Sequence, residues 1–106
     1  MKTVSCLVVA FLAGATVAAF AAEHTIKQKG KMFSESAITV KKGEKVTFVN
    51  DDNVAHNIFS TSSGNDFNLG LLTPGNSASV AFDKAGNVDV ICAIHPQMKM
   101  KVTVTD

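Results

Sequence analysis

The chain has 106 residues, with ten lysines and no arginine against nine acids, a formal net charge of +1, two cysteines, and neither tryptophan nor tyrosine. A charge so near balance offers no basic surface to a nucleic acid or an anionic membrane, and neither is expected as a partner. The length suits one small domain with a modest core.

Met1 and Lys2 open a segment that is almost wholly apolar from Val4 to Ala19 and closes on Ala19-Phe20-Ala21, small residues at the positions a signal peptidase reads. Residues 1–21 are therefore expected to be a cleaved secretory signal and 22–106 a single mature domain, periplasmic and free of the membrane after cleavage. An uncleaved anchor ranks second, because Val4 to Ala22 falls just short of a comfortable bilayer span. Removing 21 of the 106 residues leaves 85, which hold nine lysines and nine acids. The positive mean hydropathy of the whole chain resides largely in the leader. Cys6 leaves with it, so Cys92 remains alone and no disulfide is available to a secreted domain of a size that often relies on one. A lone thiol in an oxidising compartment is either an inert buried side chain or a functional one.

The mature chain reads as strand after strand. Ile38 and Val40, Val46 and Phe48, Val80 and Phe82, Val88 and Val90, and Val102 and Val104 lie in runs that alternate apolar with polar, the period of half-buried strands. Lys42-Gly43-Glu44, Thr73-Pro74-Gly75-Asn76 and Lys84-Ala85-Gly86-Asn87 separate them as turns. No helical period follows residue 22. This pattern predicts an all-β domain, an antiparallel Greek-key sandwich of about seven to eight strands. Ser60 to Gly70, rich in Ser, Gly and Asn, is predicted to be an irregular surface loop.

Near the end of the chain stands Cys92-Ala-Ile-His95-Pro-Gln-Met98, and His56 lies upstream in Asn-Asp-Asp-Asn-Val-Ala-His-Asn. A thiolate and two imidazoles in a trigonal arrangement, with a weak axial thioether, are the donor set of a blue (type 1) copper site. The spacing of His95 and Met98 after Cys92 moves the lone cysteine from inert filler to metal ligand. His56 follows one strand and Cys92 ends another, so both are expected at strand ends, where a rigid scaffold fixes geometry. Pro96 restricts its own φ and the backbone of His95. Met100, Val102 and Val104 alternate with Lys99, Lys101 and Thr103, which assigns Met100 to the core and leaves Met98 as the axial residue. His24 is expected to be solvated. Cleavage after Ala21 would also expose Ala22-Glu23-His24, whose amine, amides and imidazole suit a weak, adventitious square-planar Cu(II) site.

At these residues the chain resembles the small blue-copper proteins, or cupredoxins, of the plastocyanin and amicyanin type. The resemblance runs over residues 24–106 and rests on Ile-Thr-Val-Lys-Lys-Gly-Glu-Lys-Val-Thr-Phe-Val-Asn, on His56-Asn57, on Leu71-Leu72-Thr-Pro-Gly and on the Cys-x2-His-x2-Met loop, whose spacing is similar to that of amicyanin. It implies one copper ion with His56, Cys92 and His95 as equatorial ligands and Met98 as the axial one. It implies for Asn57 a backbone N–H aimed at the Cys92 sulfur and a side chain joining the two ligand loops. Two departures stand out. Met100 occupies a position where the family usually has glycine, and Ser34-Glu35-Ser36-Ala37 lacks the usual proline before the Ile-Thr-Val strand.

The resemblance implies a periplasmic, monomeric one-electron carrier, not an enzyme, with His95 as the electron port inside a ring of apolar residues drawn from Ala93, Ile94, Pro96 and Leu69 to Leu72. Redox partner proteins, a cytochrome or a dehydrogenase or oxidase, would dock on that ring in weak, fast encounters. No acidic stripe flanks it to steer them. The alternative is a periplasmic protein for copper storage, delivery or resistance, to which Met32, Met98 and Met100 would offer soft ligands. A third reading makes Cys92 a nucleophile with His95 as base, but no orienting third group or oxyanion pocket is visible.

Overall fold

Alternating apolar residues dictate strands that each need a second layer to cover one face, and the structure, a computed structural model describing residues 23–106, supplies it as two packed sheets. The predicted leader, residues 1–21, lies outside the described residues. The strands are β1 (Glu23–Lys29), β2 (Met32–Phe33), β3 (Ala37–Lys41), β4 (Lys45–Asn50), β5 (His56–Ser60), β6 (Phe67–Leu72), β7 (Ser77–Ala81), β8 (Gly86–Cys92) and β9 (His95–Thr105). One sheet has the order β2-β1-β4-β7 and the other β3-β9-β8-β5-β6, and no helix occurs among the described residues. The Greek-key sandwich expected from the alternation is the fold observed.

Two details differ from the sequence expectation. The pairings β1 with β4 and β3 with β9 are parallel. The chain passes from the first sheet at β2 to the second at β3 and back at β4, so β3 sits in the opposite layer from both of its neighbours in sequence, while β4 returns beside β1. The second difference is the predicted loop from Ser60 to Gly70, whose second half is strand: only residues 61–66 are irregular, and Phe67–Leu72 pairs with β5. Asn65 anchors the irregular stretch just before β6. Its buried side chain donates to the Lys84 carbonyl at 2.7 Å and accepts from the Asp83 N–H at 3.1 Å, which fixes where β6 begins.

The core lies between the sheets. Ile26, Phe48, Ile58, Phe82, Val88, Val90 and Val102 are essentially without solvent exposure. Phe33 meets Phe48 edge to face at 6.0 Å, and Phe67 meets Phe82 at 5.7 Å. This packing fixes the sheets relative to one another and so fixes the ends of β5 and β8, where His56 and Cys92 stand. Phe48→Ala is expected to lower the unfolding free energy by about 3–5 kcal/mol, as for other fully buried phenylalanines, when measured by urea denaturation.

Candidate metal centre

Cys92, the last residue of β8, pairs with His95, the first of β9, across the two-residue turn Ala93-Ile94. The register then jumps. Ile91 faces Lys99, so Pro96, Gln97 and Met98 have no opposing residue and form a bulge on β9. Proline suits this position, because it has no N–H to give to the ladder. The bulge puts Met98 on the inward side of β9, 1% exposed, one step nearer to the Cys92–His95 turn than the equally inward Met100, which lies opposite Val90. Met100 is thus a core side chain, as the alternation of β9 predicts.

His56 opens β5 opposite Leu72, and the segment before it, residues 51–55, is shaped by Asn50. Buried Asn50 donates through Nδ2 to the carbonyls of Val54 at 2.9 Å and Leu72 at 2.8 Å, and accepts from the Asp52 N–H at 2.9 Å. His56 and Cys92 are fully buried and His95 is partly exposed. The three side chains converge. Nδ1 of His56 lies 3.2 Å from Nδ1 of His95, and the Cys92 sulfur is 3.9 Å from the first and 3.7 Å from the second. A point equidistant from the three donors is about 2.1 Å from each, within the range of first-row metal bonds to nitrogen and sulfur. The donor set therefore fits a small metal ion.

Asn57 braces this arrangement. Its backbone N–H points at the Cys92 sulfur, 3.2 Å away. Its side chain accepts from the Ala93 N–H at 3.1 Å and donates to Asn68 Oδ1 at 3.0 Å and the Gly70 carbonyl at 2.9 Å. Through Ala93 this amide ties the His56 segment to the Cys92–His95 turn, the role expected for it, and it also ties both to β6. Behind it, the buried Gln28 of β1 donates to the Asn57 carbonyl over a long 3.4 Å.

Sequence reasoning passed over Asp52. Its Oδ2 lies 2.9 Å from His56 Nε2, on the side of the ring away from the cluster, and also accepts the Lys31 N–H at 2.9 Å. A carboxylate only accepts, so Nε2 carries a proton toward Asp52, and Nδ1 is the ring nitrogen that faces the cluster. The His56 N–H, then the backbone N–H groups of Lys31, Asn53 and Gly30, hold the Asp52 carboxyl well below the usual carboxylate range against the effect of burial. The spacing of four residues before His56 was the available signal, but in a loop it implies no contact.

His24 is not free in solvent. Its Nε2 lies 3.1 Å from Glu44 Oε1, and its backbone belongs to β1, in register with Val46. A square-planar chelate there would have to give up both. Of the expected apolar ring, Ala93, Ile94 and Pro96 are exposed, with Ile94 at 51% and Leu71 at 66%, whereas Leu72 is buried and Leu69 half-buried.

A buried cysteine sulfur and two imidazole nitrogens converging at one end of a Greek-key sandwich match the comparison with known families. Residues 20–105 match the family described as copper binding proteins, plastocyanin/azurin family. The chain belongs to this family. Among curated relatives it is 37% identical over 86 residues to plastocyanin of Scenedesmus fuscus, covering 70% of this chain and 85% of the relative. It is 35% identical over 75 residues to amicyanin-alpha of Methylorubrum extorquens, covering 68% of this chain and 63% of the relative. Among solved structures, a purple cupredoxin from Nitrosopumilus maritimus superimposes with a TM-score of 0.69 at 26% identity, over 77% of this chain and 99% of that one. The cofactor of this cupredoxin is copper, one ion in a type 1 site.

Asn57→Ala removes three hydrogen bonds, one to the Cys92–His95 turn and two to β6. The expected cost is about 2–3 kcal/mol of stability in the metal-free protein, read from urea denaturation. A loss below about 0.5 kcal/mol would show that the brace is dispensable.

Proposed function

We propose that the mature chain is a periplasmic one-electron carrier in which His56, Cys92 and His95 hold copper in a trigonal plane and Met98 is its weak axial ligand. The supporting observation is that three donors already stand at bonding positions around one point, held there by neighbouring strands and not by flexible loops. When bound, copper supplies a one-electron couple between Cu(II) and Cu(I). The protein's part is to keep the donors still while that charge changes. Asn57 fixes the Cys92 sulfur and the adjoining turn, Asn50 shapes the approach to His56, and burial excludes water from the thiolate.

His95 is the only partly exposed member of the donor group. In this reading it passes the electron, and the exposed Ala93, Ile94, Pro96 and Leu71 form the apolar ground on which a redox partner protein rests. A patch of this kind suits brief encounters of a monomeric carrier. The reading keeps residues 1–21 as a cleaved secretory leader and 22–106 as the mature copper domain. It assigns no catalytic reaction, since every reactive side chain at the centre serves as a ligand. Copper storage or delivery is less well supported, because Met98 and Met100 are buried and Met32 is the one strongly exposed methionine among the described residues.

Copper-loaded, oxidised protein is expected to be intensely blue through thiolate-to-copper charge transfer, and Cys92→Ser to be colourless, whereas His24→Ala leaves the band unchanged. A colourless wild-type protein in a visible spectrum taken after Cu(II) addition would defeat this reading.

The axial assignment has its own test. Met98→Leu is expected to stay blue with a raised potential, because removing the thioether disfavours Cu(II) more than Cu(I). Met100→Leu, a volume-conserving core exchange, should cost less than about 1.5 kcal/mol and leave the potential in place. Redox titration of both variants decides which methionine faces the metal.

A further inference from the structure

Asp52 has a hydrogen-bonding environment that loop geometry alone does not require. Its side chain is 11% exposed and its Oδ2 contacts the buried His56 ring at 2.9 Å. The same oxygen takes the Lys31 N–H at 2.9 Å, Oδ1 takes the Asn53 N–H at 2.9 Å, and the Asp52 N–H is held by Asn50 Oδ1 at 2.9 Å. The adjoining Asp51 N–H binds the Gln28 carbonyl at 2.9 Å, so this short segment is pinned to the end of β1.

The Lys31 contact comes from an unusual backbone. Gly30 and Lys31 make the β1–β2 turn with φ of 63° and 58°, and Lys31 is the one non-glycine residue with positive φ among the described residues. A lysine in the left-handed region costs of order 1 kcal/mol, and here that conformation aims its N–H at the carboxylate. The hairpin of the first sheet thus orients an anion that in turn orients a histidine of the second.

We infer that Asp52 is a positioning residue that sets the redox poise of the centre: its carboxylate fixes His56 with Nε2 protonated and Nδ1 bare, and lowers the reduction potential by stabilising Cu(II) over Cu(I). The inference rests on the copper-carrier reading and deepens it. An anion bonded to the far side of a ligating imidazole raises the basicity of the donor nitrogen, and the more highly charged metal state gains more from it. Because the ring is buried and the carboxylate nearly so, solvent screens this effect little.

The near-isosteric Asp52→Asn keeps an acceptor oxygen facing Nε2 and removes the charge. Losing such an outer partner typically costs about 10–100-fold in metal affinity. The expected result is a variant that remains blue, binds Cu(II) at least about tenfold more weakly relative to Cu(I), and shows a potential raised by about 59 mV per tenfold. Asp52→Glu, which restores the charge, is expected to return most of the shift, as a purely structural role would not. A blue Asp52→Asn protein with the wild-type potential overturns the inference and leaves the carrier reading standing. A wild-type protein that never turns blue overturns both. An independent measurement needs no variant: nitrogen-correlated NMR of the metal-free protein near pH 8 should find the His56 proton on Nε2, and a proton on Nδ1 overturns the inference.

Discussion

Two imidazole nitrogens and a sulfur, packed within 3.9 Å of one another, form an arrangement that free side chains would avoid. The rest of the protein can be understood as the frame that enforces this convergence. The sheets fix the ends of β5 and β8, Asn57 locks the turn between Cys92 and His95 onto β6, and Asn50 and Asp52 hold His56 from behind. Strands and hydrogen bonds thus hold the donors from several sides, which limits how far any one of them can move.

Much of this was legible because two different codes are written along the same residues. Period-two alternation in β4, β8 and β9 identifies strands and their inward faces, and the same alternation places Met100 beneath the sheet opposite Val90. The spacing of Cys92, His95 and Met98 speaks of metal chemistry independently of the fold. His56 joined them because the strand pattern put it at a strand end, and the structure brings its Nδ1 to the other two donors.

What stayed hidden depends on contacts between distant segments. Nothing in Asp52 itself announces a bond to His56, since the four-residue spacing has geometric meaning in a helix and none in a loop. The parallel pairings of β1 with β4 and of β3 with β9 are also invisible to alternation, which records which face a side chain occupies and not which strand lies beside it. Phe67–Leu72 was obscured by composition. Asn68 and Gly70 look like loop residues, but Asn68 and the Gly70 carbonyl are the partners of Asn57, so their polarity serves the brace.

The bulge at Pro96, Gln97 and Met98 has a consequence for how such a site can vary. The ladder between β8 and β9 closes at Ile91 and Lys99, and the turn closes separately at Cys92 and His95. Residues between these two closures answer to neither. Their number can change without shifting the face of any residue from Lys99 onward, so the span between His95 and Met98 behaves as an interchangeable cassette at an otherwise fixed end of the sandwich. A lineage, or an engineer, can therefore alter the length of the span that leads to Met98 while the sandwich below folds as before.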